Sequence, residues 1–211
     1  MSQFLLNVIF VIYVIAGVGL VAYGFNCYAS IYLFLKNSRR VRLTDRKNIL
    51  KFYREHSLDE LPVVTTQLPV FNEANCVERL IEAVCAMDYP KDKHEIQVLD
   101  DSTDECYEVT KRKVAEMQAC GYDIKLIHRT IRKDYKAGAL KEGMVVARGN
   151  FLAIFDADFV PEKDFLLKTI PYMVMDEQVG LVQGRWGHLN RMESGLTLAQ
   201  SIGIDGHFVV E

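Results

Sequence analysis

Two aspartates, Asp156 and Asp158, stand one residue apart where an apolar run, Phe151 to Phe155, comes to an end. Carboxylates held that close repel, and each raises the other's pKa unless a cation lies between them. If the run is a buried central strand, both side chains leave its end on one face. That arrangement suits a shared divalent metal ion; the other reading is a pair of solvated aspartates opening a loop before Pro161. Asp100 and Asp101 close a second apolar run. One carboxylate at that depth can accept a hydrogen bond from a nucleobase imide or a ribose hydroxyl, although Asp101, Ser102 and Thr103 equally suit a helix N-cap. Lys136 lies in a loop before a helix start, where a cation and free backbone N–H groups can meet a phosphate; a solvated lysine is the alternative. Glu73 follows Pro69, whose fixed φ shapes a turn, and a carboxylate there also complements a helix dipole.

The elements that must position these residues alternate along the chain. Val63 to Val70 is short and β-branched and predicts a strand, and Asn72 can cap a helix in which Val77, Leu80, Ile81, Val84 and Cys85 recur at helical spacing. Further strands are predicted over Ile96 to Ser102, Asp123 to Arg129, Phe151 to Phe155 and Val179 to Trp186. Helices are predicted between them, up to Gly121, over Ala137 to Ala147 and over Phe165 to Met175. Such alternation implies an α/β fold, an open and mostly parallel sheet with helices on both faces. Ligands bind such sheets beyond the carboxyl ends of the strands. On that rule Pro69 to Glu73, Asp100 to Ser102, the Lys136 loop and Asp156 to Asp158 share one rim.

The first 40 residues belong to a different solvent. From Phe4 to Leu35 there is no charged side chain over 32 residues, more than the roughly 20 helical residues that span a bilayer core. No basic residue precedes the run, as a signal peptide would require. Residues 1–40 are therefore expected to be a transmembrane anchor in a lipid bilayer. Lys36, Arg39, Arg40 and Arg42 follow it, which places the N-terminus outside and the rest in the cytoplasm, with the cations against anionic headgroups. Residues 41–61 read as a helical or irregular connector and 62–211 as the α/β domain. Five cysteines without Cys-x-x-Cys spacing predict reduced, mostly buried thiols rather than disulfides or a zinc site. The net charge of −3 and the lack of a basic, aromatic-interleaved stripe argue against nucleic acid as a partner.

The strings QLPVFNEAN, IQVLDDSTD, YKAGALKEGM, FLAIFDADFVPEKDF and LVQGRWGHLN resemble, in order and spacing, the inverting glycosyltransferases of family 2, in their membrane-bound cellulose synthase and mannan-glucan synthase-like branch. The resemblance implies the GT-A nucleotide-sugar-binding fold, a UDP-glucose or GDP-mannose class donor, a Mg²⁺ or Mn²⁺ ion, and a glycan or lipid acceptor. It further implies that Pro69 and Glu73 border the nucleoside, Asp100 or Asp101 contacts the base, and Lys136 and Asp156 lie near the diphosphate. Asp156 and Asp158 would be the metal-binding Asp-x-Asp, while Gln183, Arg185 and Trp186 would occupy the acceptor-side strand. The family's general base, an aspartate in a Thr-Glu-Asp motif, has no match after Asp158, where Asp164, Asp176, Glu177, Glu193, Asp205 and Glu211 are the acids present. Asp205, two residues from His207, is the one placed to substitute. The expectation is an N-terminal fragment that binds donor and transfers poorly, or a non-catalytic membrane-anchored donor-binding remnant. Asp156 to Val160 also fits the Asp-x-Asp-x-Val signature of haloacid-dehalogenase-type phosphatases, but that motif ends a domain's first strand and three strands precede it here.

Overall fold

The structure, a computed structural model, describes residues 3–210, so Glu211 lies outside the described residues. Four strands, β1 (Val64–Val70), β2 (His94–Asp100), β3 (Asp123–His128) and β4 (Phe151–Ile154), form one parallel sheet in the order β3-β2-β1-β4. Six α-helices accompany them among the described residues: α1 (Gln3–Glu55), α2 (Ala74–Cys85), α3 (Cys106–Ala119), α4 (Tyr135–Val145), α5 (Phe165–Met175) and α6 (Gly195–Val210). The chain divides into two compact units. One is Ile49–Val182 and holds the whole sheet; the other joins the chain up to Asn48 with the stretch from Gln183 onward.

The two faces of the sheet are unlike. Val64, Leu68 and Val70 of β1 share a face with Ile96 and Val98 of β2 and Ile124 of β3. They pack into one core with Val77, Leu80, Ile81 and Val84 of α2 and Cys106 and Val114 of α3. The apolar positions of α2 recur every three or four residues, which gives that helix one stripe to bury. Each fully buried aliphatic side chain contributes about 1.5–3 kcal/mol, and truncating Leu80 or Ile81 to alanine would cost about 2–5 kcal/mol. On the opposite face Thr65, Gln67, Glu95 and Gln97 are buried and polar. They pair with one another, with Gln97 Nε2 left without a hydrogen-bond partner: Thr65 Oγ1 donates to Glu95 Oε2 at 2.6 Å, Gln67 Nε2 donates to Gln97 Oε1 at 3.0 Å, and Lys125 Nζ donates to Glu95 Oε1 at 2.8 Å. Helix α4 lies over this layer through Gly143, where a Cβ would come within 2.6 Å of Gln67 Nε2 and 2.8 Å of Gln97 Oε1.

Val179 to Trp186, expected to be a fifth strand, is irregular and pairs with no strand among the described residues. A strand needs a neighbour for its backbone groups, and Gly180 and Gly184 dilute the β-branched character of this stretch. The cysteines are free, but only Cys85 and Cys106 are buried; Cys120 is exposed, because it follows α3 at a surface turn, and Cys27 and Cys76 lie between. Helix α1 is the one helix among the described residues long and apolar enough to cross a membrane, with a mean hydropathy of 2.7 in its most apolar window. It runs on through the basic stretch to Glu55. Within the Ile49–Val182 unit its last turns are anchored by Phe52, buried in the core, and by Tyr53, whose hydroxyl donates to the Leu167 carbonyl at 2.9 Å.

Candidate functional site

At the carboxyl rim of the sheet, Pro69, Val70, Phe71, Glu73, Asp101, Arg132, Lys136, Asp156, Ala157 and Asp158 line a cavity of about 330 Å³. Six of these are residues the sequence singles out, and they meet because each lies at or just past a strand end. After β1, Asn72 takes a left-handed conformation with φ 55°. Instead of capping α2 it ties the first rim loop to the second: its N–H donates to Ser102 Oγ at 3.0 Å, and its Oδ1 accepts from the Thr103 N–H at 2.9 Å. Glu73 itself stands at the N-cap position of α2. Its carboxyl is raised above the ordinary range by burial first, then by the charges of Asp158 and Asp156.

The adjacent aspartates at the carboxyl end of β2, Asp100 its last residue and Asp101 the next, do different jobs, since consecutive residues of an extended chain face opposite ways. Asp100 is fully buried and outside the cavity lining; it accepts from the Ser102 N–H at 3.2 Å and pairs with His128 Nδ1 at 2.9 Å. Asp101 lines the cavity and receives Arg129 on both oxygens, at 2.7 Å from Nε and 2.6 Å from Nη2. That fork, with Asp101 as the main contributor, raises the Arg129 guanidinium above its ordinary value. Neither aspartate caps α3, whose Cys106 N–H is accepted by Asp104 Oδ1 at 3.0 Å.

On the far side of the rim, Lys136 in the first turn of α4 hydrogen-bonds Asp156. Among the described residues no cation engages Asp158. Arg132 stacks its guanidinium 3.4 Å from the Phe71 ring centroid. The cavity thus carries four carboxylates, from Glu73, Asp101, Asp156 and Asp158, and two cations, from Arg132 and Lys136. No group of three or more His, Cys, Asp or Glu side chains among the described residues forms a complete metal cage. Two hard carboxylates at an open rim fit an ion that completes its shell with water and phosphate oxygens, as Mg²⁺ does. The cations suit the anionic group that would supply those oxygens. Phe71, Arg129 and Arg132 were not singled out from the sequence, although RTIRK directly after β3 places two arginines at the rim.

The residues expected on an acceptor-side strand lie in the second unit. Gln183 and Trp186 line a hollow of about 220 Å³ with Gly203, Ile204, His207 and Phe208. Arg185 instead pairs with Asp205 at 3.4 Å, alongside His188 at 3.1 Å and Arg191 at 3.0 Å. The His188 hydrogen bond leads these partners in holding the Asp205 carboxyl below its ordinary range. The carboxylate of Asp205, the candidate substitute base, is thus engaged by Arg185, His188 and Arg191.

Residues 67–195 match the sequence profile described as Glycosyl transferase family 2. Glucomannan 4-beta-mannosyltransferase 1 of Oryza sativa subsp. japonica is 46% identical over 154 residues, covering 71% of this chain and 30% of that protein. Glucomannan 4-beta-mannosyltransferase 9 of Arabidopsis thaliana is 40% identical over 182 residues, covering 81% and 34%. Glucomannan 4-beta-mannosyltransferase 1 of Cyamopsis tetragonoloba is 40% identical over 192 residues, covering 87% and 36%. The chain therefore spans about a third of the length of these relatives. Among solved structures, the mannosyltransferase PcManGT from Pyrobaculum calidifontis, in complex with GDP-Man and Mn²⁺, superposes with a TM-score of 0.53 at 26% identity, covering 72% of this chain and 42% of that one.

Proposed function

The chain belongs to glycosyl transferase family 2, and from that premise we propose that its Ile49–Val182 unit binds a nucleoside-diphosphate sugar together with a divalent cation, as the donor half of a hexosyltransferase. The observation that carries this reading is the rim cavity itself, where Asp156, Asp158, Glu73 and Asp101 line one hollow with Lys136, paired to Asp156, and Arg132, 3.7 Å from Asp101. A diphosphate needs cations, a hard metal ion needs carboxylates, and a nucleoside needs fixed acceptors and an apolar wall. Pro69, Val70 and Phe71 supply the wall and Asp101, held in place by the Arg129 fork, the acceptor. Bound at Asp156 and Asp158, Mg²⁺ or Mn²⁺ would offset the charge that develops on a departing nucleoside diphosphate. Lys136, released from Asp156, and Arg132 would hold the diphosphate oxygens in place. The plant relatives are named as mannosyltransferases and PcManGT holds GDP-Man, which favours GDP-mannose over UDP-glucose as the donor here.

The acceptor in this reading is a growing β-linked glycan, with inversion at the transferred sugar, and Gln183 and Trp186 belong to its side. Helix α1 anchors the chain in a membrane with its N-terminus outside, and the donor unit faces the cytoplasm. The deciding experiment is calorimetry on the detergent-solubilised chain with GDP, GDP-mannose, UDP and UDP-glucose, in Mn²⁺ and in EDTA. Affinity for the guanine nucleotides that depends on Mn²⁺ supports the reading. Absence of nucleotide binding in every buffer overturns it.

A further inference from the structure

We propose that Arg129 is a positioning residue of the rim, which acts through Asp101 and the Lys133–Tyr135 backbone to deliver Arg132 and Lys136 to the cavity. Arg129 follows β3 and its own side chain is only 6% exposed, so it is not among the residues that line the cavity. Every guanidinium nitrogen is used. Nε and Nη2 donate to Asp101, Nη2 also donates to the Tyr135 carbonyl at 2.9 Å, and Nη1 donates to the Lys133 carbonyl and to Glu142 Oε1, each at 3.2 Å. One buried side chain therefore joins the end of β2, the loop before α4 and the third turn of α4.

That loop needs holding. Asp134 and Tyr135 are both left-handed, with φ of 56° and 48°, and Asp134 carries no side-chain cap for α4. Non-glycine residues in that region persist only where their surroundings over-determine them. The carbonyls that flank the two strained residues are those that Arg129 grips, Lys133 O on one side and Tyr135 O on the other. Lys136 follows immediately and Arg132 precedes immediately, so their directions are set by the same bonds. Gly138 makes the same point independently: a Cβ there would overlap Lys133 O and lie 2.9 Å from Arg129 Nη1. The absence of a side chain at 138 is what lets the loop carbonyl tuck against α4 within reach of Arg129. A lysine at 129 would keep the charge and lose the planar fork that reaches four partners at once.

The inference rests on the nucleotide-binding reading for its consequence and on the loop geometry for its cause, so the test reads both. Hydrogen exchange at the Gly138 amide, which donates to Asp134 O at 2.9 Å, is measured on the full chain in detergent beside GDP affinity in Mn²⁺ and the melting temperature. In Arg129→Lys and in Gly138→Ala, exchange over 133–138 should rise while the sheet amides stay protected, and GDP affinity should fall about tenfold or more. Gly138→Ala leaves every charge in place and carries the test if Arg129→Lys does not fold. Unchanged exchange at 133–138 in both variants overturns the proposal, whether or not the wild-type chain binds nucleotide. Faster exchange with GDP affinity unaltered from that of a binding wild type overturns the link from loop to site. A wild-type chain that binds no nucleotide condemns the donor-site reading alone and leaves the exchange result to decide on Arg129.

Discussion

Lys136, at the start of α4, is ion-paired with Asp156, at the end of β4, and the pair closes one side of the rim cavity. In the free chain the lysine therefore competes with any metal ion for one of the two aspartates. Both side chains are about half exposed, so the pair is worth no more than about 1 kcal/mol. Lys136→Met should accordingly raise the affinity for Mn²⁺ alone by less than about fivefold. The same change should weaken GDP binding by about ten- to a hundredfold, since a charge-assisted bond to phosphate is worth about 1.5–3 kcal/mol. Two calorimetric titrations check these opposite signs, and a fall in both affinities would mean that Lys136 does not face Asp156 in solution.

Asp158 supplies a contrasting case. It has no cation among the described residues, and its charge helps to raise the Glu73 carboxyl. Asp158→Asn relieves that repulsion and should leave stability within about 0.5 kcal/mol of the wild type. The metal-dependent part of GDP affinity should disappear, so that titrations in Mn²⁺ and in EDTA coincide. Retention of the Mn²⁺ effect in this variant would move the ion away from the Asp-x-Asp pair.

The buried polar groups of β2 make stability depend on pH in two windows. Burial pushes His94 down from 6.5 to about 4, and its ring shares a 2.8 Å hydrogen bond with Thr66 Oγ1. Between those values the unfolded chain takes up a proton that the folded chain refuses. Stability is thus full above about pH 6.5 and falls by up to about 3 kcal/mol as the pH drops towards 4. For Glu95, burial pushes upward, but the Arg148 N–H, Lys125 and Thr65 outweigh it and hold the carboxyl at about 2. Its contribution is full above about pH 4.5 and is lost towards pH 2. Melting temperature against pH should decline through both windows, and His94→Asn should flatten the upper one.

Much of the rim was legible because a parallel sheet exports the ends of its strands to one edge. Pro69, Asp101, Lys136 and Asp158 are far apart in sequence and needed only the strand positions to be brought together. What failed needed register or a partner. Asp100 and Asp101 are indistinguishable in the sequence, and the pairing of Val70 with Asp100 is what turns the first inward and the second to the cavity. The buried polar face defied the expectation of apolar central strands, since VTTQLPV carries three consecutive polar residues, Thr65, Thr66 and Gln67, all buried. Arg129 read as the polar end of a strand, and its role depends on two left-handed residues that no spacing rule reveals.

Glycine positions rank the tolerance of the donor unit. At Gly149 a Cβ would overlap the backbone nitrogen of Thr65, and the Gly149 N–H already donates to Thr65 Oγ1 at 2.8 Å. Backbone cannot turn aside as a side chain can, so Gly149→Ala should cost about 1–3 kcal/mol through displacement of β1 from the turn before β4. A Cβ at Gly180 would meet nothing within 4 Å, and the residue has no positive φ, so Gly180→Ala should be neutral or slightly stabilising. Denaturant midpoints of the two variants separate these outcomes.

Membrane orientation can be read with a residue the chain already carries. Lys36, Arg39, Arg40 and Arg42 follow the apolar part of α1, and excess positive charge marks the cytoplasmic flank of a span. Cys120 is exposed on the Ile49–Val182 unit, whereas Cys85 and Cys106 are buried and the Cys85 thiol is pushed up to about 12 by its burial. An impermeant maleimide applied to intact cells should therefore leave Cys120 unlabelled, and permeabilisation should expose it. Cys120→Ser should lower the label that permeabilisation adds, since Cys85 and Cys106 are buried out of the reagent's reach and Cys120 is the exposed thiol of this unit. Labelling of Cys120 in sealed cells would place the donor cavity outside, away from cytosolic nucleotide sugars, and would reverse the proposed topology.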